Sequence, residues 1–347
     1  MVKVVVDAFG ADKGVGVVVE GAINALVTYD DVNIVIVGDK AEIGTELGKF
    51  TYDKSRIEVE DAREKITNNE SPTVAIRTKK DSSLVRALEI TKNDPLVAGM
   101  VSAGSTGAVL TGGIFKIGRI KGVLRPALCP LLPTFNGGKV CIVDCGANMD
   151  CKPEYLAQFA LMGSEYMRSL GIANPRVALV SVGDEDKKGN ELTHAAFSIL
   201  KKLPIIFVGN MEARYALSGN YDVLVCDGFV GNVLLKSVEG TAMGVMKMLK
   251  NEIKSSFSAK IGALFMKKGL MNIKSSMDYH AVGGAAFLGV EKVLVKGHGS
   301  SNAKSICAAV GQVAAMAKLG YVDRIKKIIE ENDVRALASG SEQTDND

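Results

Sequence analysis

Residues 96–113 read LVAGMVSAGSTGAVLTGG, and this stretch settles which fold class the chain can adopt. Residues 96–101 form a short, nearly continuous apolar run, the pattern of a strand covered on both faces. Residues 102–107 are all small or hydroxylated, and a helix is expected to start near Thr106. From Leu96 to Phe115 the chain carries no charge, so by hydropathy alone it resembles a membrane span. Five glycines together with Ser102, Ser105, Thr106 and Thr111 argue against that. What remains is strand, tight turn and helix, the repeating unit of an α/β protein.

Working outward, residues 2–6, 33–37, 139–143, 176–182, 204–208 and 221–226 repeat the strand pattern. Residues 15–27, 82–91, 154–170, 192–203 and 232–250 have helical period between them. The expectation is a doubly wound, mostly parallel sheet with flanking helices, in one large α/β unit over residues 1–338. The polar, acidic residues 339–347 are expected to be a disordered tail. With 347 residues, 47% of them hydrophobic, the chain can build a large core without disulfides or metals. Its 37 glycines and 5% aromatics suit tight strand-to-helix turns better than a sandwich of short strands. A dispersed net charge of +3 gives no nucleic-acid footprint. Six cysteines include no CxxC and none at zinc spacing from a histidine, so buried thiols in a reducing cytoplasm are expected. Met1 to Val6 runs directly into a strand, and no signal peptide is expected.

The strand ends are unusually polar. Asp7-Ala8-Phe9-Gly10, residues 102–107, Asp144 to Asn148, residues 183–190, Gly209-Asn210 and Asp227 to Asn232 each follow a strand. Turn chemistry and helix capping explain any one of them. Six on one rim point to a polar ligand site, because ligands of such sheets bind beyond the carboxyl ends of the strands.

Residues 102–107 offer an anion cradle: hydroxyls of Ser102, Ser105 and Thr106, the free N–H groups of a helix start, and no Cβ at Gly104 or Gly107. A tight turn with a helix cap is the plainer account. The loop is neither a Walker A motif nor GxGxxG, so triphosphate and ordinary NAD sites lose support. Lys80 opens a helix in Lys79-Lys80-Asp81-Ser82-Ser83, either as a solvated turn or as charge for the anion. Lys188 and Asn190 sit in an acidic and basic loop that suits phosphate better than a metal. His194, His280 and His298 are too scattered to hold a metal, and His298, in Gly297-His298-Gly299, caps a turn or acts as an acid. No GxSxG elbow or paired cysteine suggests a covalent nucleophile. Residues 257–274 place Phe257, Ile261, Leu264 and Phe265 on one helical stripe among four lysines. Core or dimer packing explains the stripe as well as contact with an anionic membrane surface does.

Taken together, these motifs resemble the bacterial phosphate acyltransferase family of phospholipid synthesis over almost the whole chain. The resemblance rests on Asp7 to Gly10, Lys80 to Ser83, Ser102 to Ala108, Arg125 to Leu128, Asp144 to Asn148, Pro153-Glu154, Gln158 to Ala160 and Met162 to Ser164. It continues through Lys188-Gly189-Asn190, Gly209-Asn210, Asp227 to Phe229, Gly231-Asn232, Gly283 to Ala285 and His298-Gly299. Three features depart from the family pattern: Ala11 stands for a second glycine, the proline that commonly follows the next Asp is missing with Gly14 to Gly16 near its place, and Ser105 stands for an asparagine, with shorter reach and no amide donor.

The resemblance implies a fold akin to phosphotransacetylases and isocitrate and isopropylmalate dehydrogenases. It implies transfer of a long-chain acyl group from acyl carrier protein to inorganic phosphate, without a cofactor or metal. It further implies a homodimer, cytoplasmic and peripherally membrane-associated, and a downstream membrane glycerol-3-phosphate acyltransferase as partner. Lys188 and Asn232 would act near the chemistry, with phosphate on Ser102, Gly104, Ser105, Thr106 and Gly107. Asp7, Lys80, Asp144, Asn148, Asn190, Asn210, Asp227 and His298 would support the site, and Ile261, Leu264 and Phe265 would touch the membrane. The alternatives are a phosphotransacetylase-like enzyme acting on acyl-CoA and a non-catalytic nucleotide-binding module on a dehydrogenase-like scaffold.

Overall fold

The computed structural model describes residues 1–276 and 283–339. His280 and residues 340–347 of the expected tail lie outside the described residues; Ser339 ends a helix. In chain order the strands are β1 (Val2–Asp7), β2 (Val32–Gly38), β3 (Ile57–Asp61), β4 (Val97–Ser102), β5 (Ala127–Cys129), β6 (Leu131–Pro133), β7 (Lys139–Val143), β8 (Arg176–Ser181), β9 (Ile206–Glu212), β10 (Val223–Val225), β11 (Ala285–Leu288) and β12 (Val293–Lys296). The helices are α1 (Val15–Thr28), α2 (Lys40–Leu47), α3 (Pro72–Thr78), α4 (Ser83–Asn93), α5 (Thr106–Gly112), α6 (Pro153–Ser169), α7 (Glu191–Leu200), α8 (Gly228–Ser255), α9 (Phe257–Phe265), α10 (Lys267–Ser276), α11 (Ala303–Lys318), α12 (Tyr321–Glu331) and α13 (Val334–Ser339).

The chain is mixed α/β, as expected, but its strands form two sheets instead of one. The first runs β3-β2-β1-β4-β12-β11-β5 and the second β6-β7-β10-β8-β9. Pairing is parallel except at the edge where the sheets approach each other: β11 runs antiparallel to β12 and β5, and β6 runs antiparallel to β7. Pro130 is the reason for the division. It stands alone between β5 and β6 and has no N–H to continue a ladder, so the chain leaves the edge of one sheet and joins the edge of the other. Strands this short carry no visible period, so the sequence does not announce the switch.

The apolar strands are covered on both faces. Val4 and Val6 of β1 pack in one cluster with α1 and α11, through Val15, Val18, Ile306 and Val310. Val5 faces the other way, into a cluster with Leu84, Leu88 and Val109 of α4 and α5. The largest cluster draws residues from both sheets, including Val143, Val177 and Val225 of the second. Helix starts are fixed by side chains: Asn190 and Thr193 form a capping box on α7, Asn302 and Ser305 on α11, and Asp227 accepts the Val230 N–H on α8. Among the described residues no single helix is long and apolar enough to cross a membrane.

Gly99 marks the tightest strand contact. A Cβ there would lie 2.2 Å from the Val293 carbonyl oxygen, so β4 and β12 meet without room for a methyl group. Gly99→Ala is expected to push β12 outward and cost about 1–3 kcal/mol. Urea unfolding checks this: the midpoint should fall with the slope unchanged, and an unmoved midpoint contradicts the close approach.

Candidate active site

Three neighbouring strands of the first sheet end level with one another. Asp7 pairs with Ser102, and Ser102 with Lys296. All three are buried, at 3%, 0% and 8% exposure. The Ser102 hydroxyl donates to Asp7 Oδ2 at 2.7 Å and accepts the Gly104 N–H at 3.1 Å, while the Phe9 N–H donates to Asp7 Oδ1 at 3.2 Å. Burial pushes the Asp7 carboxyl up to about 6, against the opposing pull of hydrogen bonds from Ser83 and Ser102. Ser102 therefore braces the turn from beneath, its hydroxyl already engaged on both sides. Gly10, at φ 108°, lies against this turn, where a Cβ would fall 2.3 Å from Gly104 Cα. Only glycine lets the two turns touch backbone to backbone.

The second sheet contributes a buried carboxylate. Asp144, fully buried at the end of β7, accepts N–H donors from Leu128 at 2.7 Å, Ala147 at 3.0 Å and Asn148 at 2.6 Å. The Asn148 amide adds a bond at 3.1 Å and also donates to Pro126 O at 2.9 Å. Burial raises the Asp144 pKa, and the N–H donors resist the rise. Because Leu128 belongs to β5, this one side chain joins the two sheets. The start of α8 lies against it: a Cβ on Gly228 would come 2.7 Å from Asp144 Oδ2, and one on Gly231 2.0 Å from Asp144 O. Two glycines thus let α8 approach closely enough to present Asn232 beside Gly146.

A cavity of about 310 Å³ opens at this junction. Thr106, Asn232, Lys296 and His298 line its polar part. Leu128, Pro130, Leu131, Leu132, Met149 and Leu235 form an aliphatic wall. Lys236 and Glu239 also line it and pair with each other at 2.7 Å. His298 Nδ1 accepts the Ser300 N–H at 3.1 Å, so the neutral ring carries its proton on Nε2. Cys145 lines the cavity too, but burial and the Asp144 carboxylate push its thiol up to about 12, which keeps it protonated and unreactive. Among the described residues no three His, Cys, Asp or Glu side chains converge as a metal site.

The polar strand ends thus divide into groups. Thr106, Asn232 and His298 meet in the cavity. Ser105 stands at the N-cap position of α5 without a side-chain capping bond and faces a separate hollow with residues 8–11 and Lys65, and Gly107 packs on Pro72. Asp227 and Asn190 cap α8 and α7. Lys80 is an exposed turn residue before α4. Lys188 is exposed on the turn after β8, which Asn210 holds by donating to Glu185 O at 2.8 Å and Lys188 O at 3.3 Å. Neither Lys188 nor Asn210 lines the cavity. Residues 257–274 form two helices broken at Met266, with Leu264 at 69% and Phe265 at 86% exposure and Ile261 less so.

Sequence reasoning missed Lys296, Ser83 and the aliphatic wall. The signal for Lys296 was present: a lysine closing the apolar run 293–295, directly before Gly297-His298-Gly299. The structural roles found here are testable. Asp144→Ala is expected to lower stability by about 1–3 kcal/mol for the first buried donor it orphans. The check is a thermal melt with and without inorganic phosphate, in which a variant as stable as the parent contradicts the role.

Comparison with known proteins agrees with the geometry. The family described as "fatty acid synthesis protein" matches residues 2–324. A phosphate acyltransferase from Clostridium novyi (strain NT) is 48% identical over 330 residues, covering 95% of this chain and 99% of the relative. Two solved phosphotransacetylases share the fold: one from Streptococcus pyogenes, with TM-score 0.58 and 17% identity, and EutD from Staphylococcus aureus, with 0.59 and 18%. Each likeness covers 91% of this chain and 94% of the solved one. A cavity that joins polar strand ends to an aliphatic wall, on this scaffold and with this identity along its length, places the chain in the phosphate acyltransferase family of enzymes.

Proposed function

We propose that the protein moves a long-chain fatty acyl group from the thioester of acyl carrier protein to inorganic phosphate, forming an acyl phosphate for phospholipid synthesis. One observation carries this reading: a single cavity pairs a polar, cation-bearing end with an aliphatic wall. The first suits a phosphate and the second a hydrocarbon chain. The name of the Clostridium novyi relative supports the phosphate acceptor.

In this mechanism phosphate rests against Thr106 at the polar end of the cavity. One of its oxygens attacks the thioester carbonyl carbon to form a tetrahedral oxyanion. The C–S bond then breaks and the phosphopantetheine thiolate leaves. The Asn232 amide donates to the oxyanion, a kind of contact worth about 2.7–4 kcal/mol in other enzymes. His298, which lines the cavity, can donate a hydrogen bond to the leaving thiolate, which takes its proton from water, since a thiol with a pKa of about 8.5 needs little help. Holding both reactants in one cavity supplies much of the remaining acceleration. Lys188 lies outside the cavity of its own chain, so its part in the reaction depends on a second copy in a homodimer or on closure of the two sheets. The exposed apolar face of α9 suits peripheral contact with an anionic membrane, where the acyl phosphate would be used.

The fold also supports a short-chain phosphotransacetylase acting on acyl-CoA; the aliphatic side chains of Leu128, Leu131, Leu132, Met149 and Leu235 favour an acyl chain longer than acetyl. The deciding assay is release of free thiol from a long-chain acyl-carrier thioester. It should require phosphate and exceed the rate with acetyl-CoA; equal release after phosphate is removed ends the proposal. Asn232→Ala should lower kcat about 10²–10³-fold in a protein that melts normally. Replacing Ile261, Leu264 and Phe265 by serine should abolish flotation with anionic liposomes, and undiminished flotation rejects the membrane contact.

A further inference from the structure

Lys296 closes β12 and lines the cavity, with 8% of its surface exposed. An ammonium group has three N–H donors. Two of them go to main-chain carbonyls, Ala103 O at 3.4 Å and Gly297 O. Among the described residues no carboxylate forms an ion pair with it. Asp7 and Asp12 attract it only through space, and the Asp7 oxygens are already engaged by Ser102, Ser83 and the Phe9 N–H. A cation held out of water without a contacting counter-ion is costly, and an anion entering the cavity removes that cost.

We infer that Lys296 is the phosphate-binding cation of this cavity, holding the acceptor oxyanion through its third N–H. The inference rests on reading the cavity as a phosphate and acyl site, and it names the group that recognises the anion. The two carbonyl bonds fix where the ammonium points, so its charge is set before a ligand arrives. The other lysine lining the cavity, Lys236, is 54% exposed and already paired with Glu239.

The same surroundings make anion binding sensitive to pH. Burial brings Lys296 down to about 8, with Asp7 and Asp12 pulling the other way. The charged and titratable groups facing it are Asp7 at the end of β1, Asp12 in the turn that follows, His298 after β12, and Lys236 and Glu239 on α8. Anion affinity should be full below about 8, where the ammonium is charged, and should fall as pH rises through that value.

The test measures anion binding by calorimetry on the whole protein, without an acyl donor. Lys296→Gln should weaken phosphate binding by at least about tenfold, while Lys202→Gln, at an exposed lysine outside the cavity, changes it little. Sulfate, whose charge is constant over the range, should lose affinity for the parent protein as pH rises through about 8, and for Lys202→Gln likewise. The profile should be flat for Lys296→Gln. In turnover, Lys296→Gln should raise KM for phosphate and leave KM for the acyl donor unchanged. Unaltered phosphate affinity in a folded Lys296→Gln protein overturns the inference. If that variant does not fold, a flat sulfate profile in the parent overturns it. Phosphate binding through Lys296 without acyl turnover would reject the proposed reaction and leave this site standing. Turnover with an unaltered phosphate KM in Lys296→Gln would do the reverse.

Discussion

The structure depends on one buried carboxylate. Asp144 takes N–H groups from β5 of the first sheet and from the turn after β7 of the second, and both arrive at hydrogen-bonding distance. A carboxylate buried this deeply is tolerated because several donors meet it. Those donors fix the relative position of the two sheets where the chain crosses at Pro130. The cavity is the space left at that crossing, so its shape follows from the same bonds. The glycines at 228 and 231 extend the arrangement to α8, since any side chain there would push the helix off Asp144 and carry Asn232 away from the cavity.

A similar division of labour holds on the first sheet. Asp7 and Ser102 form a support beneath the turn, and Thr106 and Lys296 line the cavity. Motif residues that look alike in sequence therefore differ in kind. Ser102 is consumed by its neighbours, Gly107 makes room for Pro72, and Thr106 faces the opening.

Long regular elements were legible in the sequence because their apolar period extends over enough residues. The strands at 2–7, 97–102 and 139–143 and the helices α1, α6 and α7 fall within a few residues of their expected ends. The division into two sheets was not legible, since it turns on two three-residue strands and one proline. Within the candidate site, Asn232, Thr106 and His298 could be picked out as polar residues at strand ends. Lys296 had a weaker signal, its place at the end of an apolar run before Gly297, and its meaning comes from burial: an identical lysine in solvent would be an ordinary surface charge. The reverse holds for Asp144, Asn148, Asp227 and Asn190, which the sequence offers as ligand contacts and the fold uses to hold turns and cap helices.

The reach of α8 has a mechanical consequence. It extends over 28 residues, about 42 Å at the usual rise, and is buried only at Gly228 and Gly231 in its first turn. Its next turns rest on the core of the second sheet through Leu234, Leu235 and Val238, and beyond them the helix projects as a rod, with Asn232 near its root and α9 following its far end. A rod anchored at one end acts as a lever. Force applied to the apolar tip is therefore carried along the rod toward the root, where Asn232 stands beside Gly146.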